Sequence, residues 1–336
     1  MNETYQHGSL LAVIRDLHFK IHDAVRTRLF EQDASLYAVA NEDGDGDVSY
    51  NIDITSEETI DHFFSRNPIE GGVVVISEGS GKQVYPAAID ESEARYRLLI
   101  DPIDGTREIM YNKRSAWVIT AVASNRGDAT NLSDVFLSVQ TELPVKKQTL
   151  ASFVYAEKGC GAWEEIWDIG NRSKIIKAER LQPSKSKTID HGYAVFSNYF
   201  PGARDVISLL ADTVLSKIGI NNQSDKAIVF DDQYISSGGQ IYLLASGAYR
   251  FTADIRPALT RISNERGIGL ALCCHPYDIG GLLIFLEAGG IMTDLSGNSI
   301  TYPMDTQTRC GWLAYANSSI RELMEPAVLA EIRKLD

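Results

Sequence analysis

The chain has 336 residues, 44% hydrophobic and 23% charged, an ordinary composition for a globular protein with room for two lobes around a sizeable core. Its 32 basic and 45 acidic residues leave a formal net charge of −13, which disfavours nucleic acid and anionic membranes as partners. The four cysteines (Cys160, Cys273, Cys274, Cys310) form no disulfide framework, and the adjacent pair lacks the C-x-x-C spacing of a zinc site.

Apolar residues at helical spacing from Leu10 to Leu29 predict a long amphipathic helix over about 9–31. The N-terminus shows no signal-peptide pattern, and no apolar run is long enough to span a membrane, so a cytoplasmic location is expected. An acidic, Gly-rich loop follows from Asn41 to Asp47. Its aspartates invite an EF-hand reading, which Val48 at the glycine position and Ile54 at the bidentate glutamate position exclude. A second helix runs to about Phe64, with Thr55 and Glu58 spaced as a capping box. Asp53 falls either just before this helix or in its first turn, and in the second case shares a face with Glu57.

Strand-like runs follow at Val73–Ser77, Tyr96–Ile100, Ala116–Ser124, Val135–Gln140 and Leu150–Ala156, and Gly159–Ala162 marks a tight turn. After a Lys/Ser-rich linker near 183–187, strands and helices alternate. These are strand Ala194–Ser197, helix Arg204–Lys217, strand Ala227–Phe230, helix Gly239–Ala245, strand Tyr249–Ala253 and helix Ile279–Ala288. Strands Gly290–Thr293 and Trp312–Ala316 and a closing helix complete the chain. The pattern predicts an N-terminal α+β lobe over 1–185 and a C-terminal α/β lobe over 186–336.

Chemistry-bearing residues gather at element boundaries. Asp101-Pro102-Ile103-Asp104-Gly105-Thr106 follows an apolar strand and delivers two carboxylates and a Gly-Thr turn into one small volume. Hard oxygen ligands beside backbone N–H groups at a helix start suit Mg²⁺ together with a phosphate ester. Taken alone, a D-x-x-D is more often a turn in which the first Asp caps the next helix. Glu78 at a strand end, Asp278 before a Gly-rich helix and Asp53 each have a comparable structural reading as solvated or capping groups. Together they supply the several carboxylates that two or three Mg²⁺ ions require.

These residues resemble the lithium-sensitive, magnesium-dependent phosphatases of the inositol monophosphatase and fructose bisphosphatase superfamily. The resemblance covers about 53–316 and is anchored on a complete D-P-[IL]-D-G-[ST] motif at Asp101–Thr106. Ser77-Glu78, the Lys158–Trp163 turn, Tyr277–Gly281 and Glu287–Gly290 support it in the same order along the chain. It implies a five-layered αβαβα sandwich with metals held where the lobes meet, often as a homodimer. By position, Glu78, Asp101, Asp104, Asp278 and the Ile103 carbonyl would bind metal. Glu78 and Thr106 would orient an attacking water, and the N–H groups of Gly105 and Thr106 would hold phosphate. Asp53 would assist from behind or at a third, weaker metal.

The chain departs from the family at Gly79, where a second Glu is usual, and at Tyr277, where a Trp is common. Thr252–Pro257 resembles a stretch of the archaeal-type dual inositol monophosphatase and fructose bisphosphatase enzymes, after which this chain is longer, with an apolar run from Gly269 to Cys274. Asp254 is expected to accept hydrogen bonds from substrate hydroxyls and Arg256 to clamp a second phosphate, unless the two pair as a structural salt bridge.

The expected activity is Mg²⁺-dependent hydrolysis of a small polyol or sugar phosphate by direct attack of an activated water. A phosphoadenosine phosphate phosphatase, a fructose bisphosphatase and, from another class, a regulatory binding module without turnover are the alternatives.

Overall fold

The computed structural model describes residues 3–31, 40–42, 48–220, 226–268 and 273–335. The acidic loop from 43 to 47 and the apolar run over 269–272 lie outside the described residues.

The chain opens with α1 (Glu3–Glu31), a strand pair β1 (Ala40–Glu42) and β2 (Val48–Tyr50), and α2 (Asn51–Arg66). Strands β3 (Val73–Ser77), β4 (Gly81–Tyr85) and β5 (Tyr96–Asp104) lead into the short helix α3 (Thr106–Met110). Strands β6 (Ala116–Ser124), β7 (Val135–Leu143), β8 (Leu150–Glu157), β9 (Ala162–Asp168) and β10 (Asn171–Arg180) follow. The second half runs β11 (Gly192–Phe196), α4 (Arg204–Lys217), β12 (Val229–Phe230), α5 (Ser237–Ala245), β13 (Tyr249–Asp254), α6 (Thr260–Glu265) and α7 (Leu282–Ala288). It closes with β14 (Ile291–Thr293), β15 (Trp312–Tyr315) and α8 (Ser318–Ile332).

Strands β3 to β10 form an eight-stranded sheet in the order β10-β9-β8-β7-β6-β5-β3-β4, antiparallel throughout except for the parallel pair β3 and β5. The second sheet has the order β12-β11-β13-β15-β14, parallel across its first three strands and antiparallel across the rest. Helices α1 and α2 cover one face of the large sheet, α5 and α7 fill the space between the sheets, and α4 and α8 cover the far face of the small one. The result is the expected five-layered αβαβα sandwich. Each interior follows from sequence alternation. On β6, Trp117, Ile119 and Ala121 face the middle helices while Val118 and Val122 face α1, so the strand is apolar on both sides.

Most elements stand where the sequence places them, with three differences. Helix α2 begins four residues before Thr55, so Thr55 and Glu58 form no capping box, and Asp53 lies in its first turn on the face of Glu57. Ser56 and Thr59 spend their hydroxyls on the carbonyls of Asp53 and Thr55 inside the helix. Strands β4, β9 and β10 escape the periodicity argument. Strand β10 is an almost wholly exposed edge strand rich in charge, and its pairing with β9 rather than any apolar alternation makes it a strand. The predicted loop from Asn41 starts inside β1, which pairs antiparallel with β2.

Helix α1 is pinned to the large sheet by Leu10, Ile14, Leu17, Ile21, Val25 and Leu29, and by one buried polar side chain. The imidazole of His18 is fully buried, with Nδ1 2.8 Å from the Thr141 hydroxyl and Nε2 2.8 Å from that of Thr120. Burial lowers its pKa from 6.5 to about 3, so the ring is neutral in the folded protein. The unfolded chain therefore binds the extra proton first. The contribution of His18 is complete above about pH 6.5 and is lost as pH falls towards 3, by up to about 1.4 kcal/mol per pH unit. Urea titrations between pH 7 and pH 4 should show a slope in stability that is shallower by about one proton in His18→Gln. Equal slopes in the two proteins would show that this ring does not titrate on unfolding.

Candidate active site

Strands β3 and β5 lie side by side and parallel, with Ser77 opposite Ile100. The next residue of each, Glu78 and Asp101, therefore leaves the same edge of the large sheet. The sequence predicts that the strand stops at Ile100 on a kink at Pro102. Instead β5 continues to Asp104 through an irregularity, in which Asp101 pairs with Ile119 but Asp104 pairs with Trp117. Three steps on β5 match two on β6, an extra residue that places both aspartates, which regular alternation would send to opposite faces, along one cleft.

The third carboxylate comes from the other half of the chain. Asp278 sits in the turn before α7, where its Oδ2 accepts a 2.5 Å hydrogen bond from the His275 N–H. One oxygen from each of Asp101, Asp104 and Asp278 lies within 4.8 Å of the others, and Glu78 lines the same cleft of about 100 Å³. The group is held by donors behind it. Asp101 Oδ1 accepts from the Ile103 N–H at 3.0 Å, and Asp104 Oδ2 accepts from the Ser236 hydroxyl at 2.7 Å and the Gly238 N–H at 2.6 Å at the start of α5.

Burial and the charges of Glu78, Asp104 and Asp278 push the Asp101 pKa well above the usual carboxylate value. Burial raises Asp278 likewise, with Asp104 adding to it, and raises Asp104 to about 6 against the opposing hydrogen bonds from Ser236 and Gly238. Among the described residues no lysine or arginine makes a salt bridge with these three aspartates; a histidine, His275, stands 3.9 Å from Asp278. Hard carboxylate oxygens converging with no lysine or arginine salt-bridged to them among the described residues fit a divalent ion such as Mg²⁺.

Beside this cluster the chain turns through Gly105, whose φ of 96° lies in the left-handed region, and enters α3 at Thr106. The Thr106 hydroxyl is 3.1 Å from Asp53 Oδ1 on α2 and 2.9 Å from the Ile103 carbonyl oxygen, so its single proton can serve either acceptor. The fold thus brings Asp53, Glu78, Asp101, Ile103, Asp104, Gly105, Thr106 and Asp278 together from four separate stretches of chain.

Asp254 is placed differently from the expectation. It is wholly buried at the end of β13, and both of its oxygens are taken by Arg256: Oδ1 by Nε at 2.8 Å, Oδ2 by a second guanidinium nitrogen. Arg256 reaches the cleft wall, but its guanidinium lies 5.0 Å from the Tyr199 ring centroid and 5.4 Å from that of Phe200. The structural salt bridge describes this pair. The pairing engages both oxygens of Asp254 and turns two guanidinium nitrogens of Arg256 inward, so less of either side chain is left to meet a substrate.

Several residues at the site carry no motif. Ser236 and Gly238 are visible in the sequence only as a Ser-Ser-Gly-Gly helix start. His275 stacks on Tyr277 with ring centroids 5.4 Å apart, a contact that spacing alone does not reveal.

No family model matches the sequence, and no curated protein matches it. The fold does match solved structures along nearly its whole length. A Pyrococcus horikoshii protein, PH1897, described as having similarities to inositol-1 monophosphatase, aligns at a TM-score of 0.62 and 18% identity over 98% of this chain and 99% of its own. The MJ0109 gene product, an inositol monophosphatase-fructose 1,6-bisphosphatase, aligns at 0.58 and 16% over 91% of this chain and 98% of its own. Leishmania major fructose-1,6-bisphosphatase aligns at 0.67 and 14% over 97% of this chain and 95% of its own. The chain has the fold of the inositol monophosphatase and fructose bisphosphatase superfamily, including its archaeal-type members.

Two outcomes follow from this geometry. In the metal-free protein, carboxylates with raised pKa values hold protons that the unfolded chain has released. Stability therefore falls as pH climbs from about 3.8 through these values, Asp104's being about 6. Asp101→Asn removes one of the crowded charges and should raise the thermal midpoint of metal-free protein at pH 7.5, while losing the further rise that Mg²⁺ gives the wild type. A lower midpoint without metal would contradict the repulsion. Asp254→Ala takes from the buried Arg256 its carboxylate partner, and should cost about 3–5 kcal/mol in denaturant titrations. A stable variant with selectively altered substrate preference would instead return Asp254 to a binding role.

Proposed function

We propose that the protein is a Mg²⁺-dependent phosphomonoesterase acting on a small polyol or sugar phosphate. The observation that carries this reading is the convergence of three aspartates, two buried and one partly so, from both halves of the chain beside the Gly105-Thr106 turn, in a fold shared with inositol and fructose phosphatases. Asp101, Asp104, Asp278, Glu78 and the Ile103 carbonyl would hold the metal. Bound there, Mg²⁺ would supply positive charge that acidifies a water and offsets the charge of the phosphate oxygens.

The chain's own groups do the positioning. The N–H groups of Gly105 and Thr106 open α3, ahead of any intrahelical acceptor, and can donate to a phosphate oxygen. A Thr106 hydroxyl that donates to Asp53 keeps its oxygen available to accept from a water in the cleft, and Glu78 can accept that water's other proton. The two contacts fix the water on the side of the phosphorus opposite the leaving oxygen. Donors behind the aspartates would keep their oxygens in position before substrate arrives.

The direct test is phosphate release with and without Mg²⁺ on a panel of inositol phosphates, fructose bisphosphate, phosphoadenosine phosphate and NADP. Turnover of a polyol or sugar phosphate that Asp101→Asn nearly abolishes supports the proposal. Metal binding without release from any member of the panel would assign the site to a regulatory binding role. Thr106→Ala should lower kcat by about 10²–10⁴-fold with KM little changed, since the hydroxyl orients water while backbone groups hold phosphate. A variant that loses only substrate affinity would remove Thr106 from that role.

A further inference from the structure

Helix α2 reaches the site twice. Asp53 meets Thr106, and one helical turn later Glu57 meets the turn that carries Glu78. The Glu57 carboxylate accepts three hydrogen bonds there. Oε1 takes the Ser77 hydroxyl at 2.6 Å and the Gly79 N–H at 2.8 Å, and Oε2 takes the Ser80 hydroxyl at 2.7 Å. These donors flank Glu78 on both sides, so both oxygens of Glu57 are committed to its neighbours in sequence. A Cβ on Gly79 would stand 3.0 Å from Cγ and Oε1 of Glu57, so a side chain at that position requires Glu57 to shift. The turn lies at the edge of the molecule between β3 and β4, with Gly79 and Ser80 exposed. Without a fixed anchor such a turn would sample many backbone conformations, and the carboxylate of Glu78 would swing with it.

We propose that Glu57 is a positioning residue that fixes the Ser77–Ser80 turn and thereby aims Glu78 into the metal-binding cleft; this rests on the metal-dependent reading above. Hydrogen bonds to an ionised acceptor are the stronger kind, and three of them from four consecutive residues leave the turn little freedom. The anchor is itself a rigid element. Helix α2 packs Ile52, Ile60, Phe63 and Phe64 into the core beneath the large sheet, so Asp53 and Glu57 are held at a constant separation. One helix therefore sets the distance between the Thr106 hydroxyl and the Glu78 carboxylate, the two groups assigned to the attacking water. Groups that orient metal ligands from behind typically change metal affinity by about 10–100-fold when removed.

The test is Mn²⁺ binding, read by the loss of free-ion EPR signal, together with steady-state kinetics over a range of Mg²⁺. Glu57→Ala should weaken Mn²⁺ binding by about 10-fold or more and raise the Mg²⁺ needed for half-maximal rate in step, with substrate KM at saturating metal nearly unchanged. Glu57→Gln keeps an acceptor for Ser77 and Gly79 and should recover most of the affinity. Asp61→Asn provides the structural control. Asp61 ties the same helix to β4 through a 2.7 Å bond from the Tyr85 hydroxyl without touching the turn, and its variant should bind Mn²⁺ as the wild type does. If Glu57→Ala fails to fold, the Ser77→Ala, Ser80→Ala double variant removes two of the three bonds and should weaken binding in the same direction. Wild-type Mn²⁺ affinity in Glu57→Ala or in the serine double variant, or an equal loss in Asp61→Asn, overturns the proposal. Should Asp101→Asn also bind Mn²⁺ like the wild type, the metal site itself is wrong and the positioning role falls with it; loss in Asp101→Asn with none in Glu57→Ala sinks the positioning role alone.

Discussion

The structure depends on holding Asp101, Asp104 and Asp278 close together, the first two buried and the third partly so. A carboxylate in such a place is costly to ionise, and each has N–H or O–H donors aimed at it from behind. Asp104 shows the arrangement most fully. One of its oxygens receives Ser236 and Gly238 at the first turn of α5, where the helix presents unpaired N–H groups and the positive end of its dipole. That same bond ties the bulged end of β5 to the helix layer between the two sheets. The carboxylate that crowds the site thus also fastens the halves of the molecule together.

This constraint explains the local chemistry of the sequence around it. Gly238 is needed because a Cβ there would stand 2.5 Å from Ile119 and 2.9 Å from Asp104 Oδ2, closing the approach of the backbone to the carboxylate. The bulge in β5 answers the same need, since an odd spacing of aspartates cannot share a face on a regular strand. The motifs that lie farther away are structural in the same sense. Glu287 accepts from the N–H groups of Gly159 at 2.7 Å and Gly161 at 2.8 Å, so the Lys158–Trp163 turn and the Glu287–Gly290 stretch are two halves of one contact.

What was legible in the sequence divides along physical lines. Apolar periodicity located α1, β3, β6 and α4 because burial on a face leaves a repeating trace. It missed β10, whose strand character comes from pairing with β9, and it left the start of α2 open because Thr55 and Glu58 have the spacing of a cap without its backbone. The candidate site was legible where chemistry is compressed into neighbouring residues, as at Asp101–Thr106, and much less so where it is assembled across the fold. Glu57 was visible as a face-mate of Asp53, but nothing in the sequence shows that its carboxylate meets Ser77, Gly79 and Ser80. Asp254 was left open for the converse reason. A carboxylate two residues before an arginine can serve either partner or substrate, and only the buried geometry decides.

The Asp254–Arg256 pair bears on how the cleft can discriminate among substrates. An unpaired arginine at this wall would draw any anion to it, including a phosphate bound in the wrong register. Paired on both oxygens of a wholly buried aspartate and laid over Tyr199 and Phe200, the guanidinium is fixed in place. What it then offers the cleft is a rigid wall whose positive charge is partly offset by Asp254 and still acts on Asp278. For the phosphate ester proposed above, such a wall would act through shape and through a cation held in one place. On that reading the metal-bearing aspartate cluster and the Gly105-Thr106 turn would hold the phosphate, and the wall opposite would bear on which carbon skeleton fits beside it.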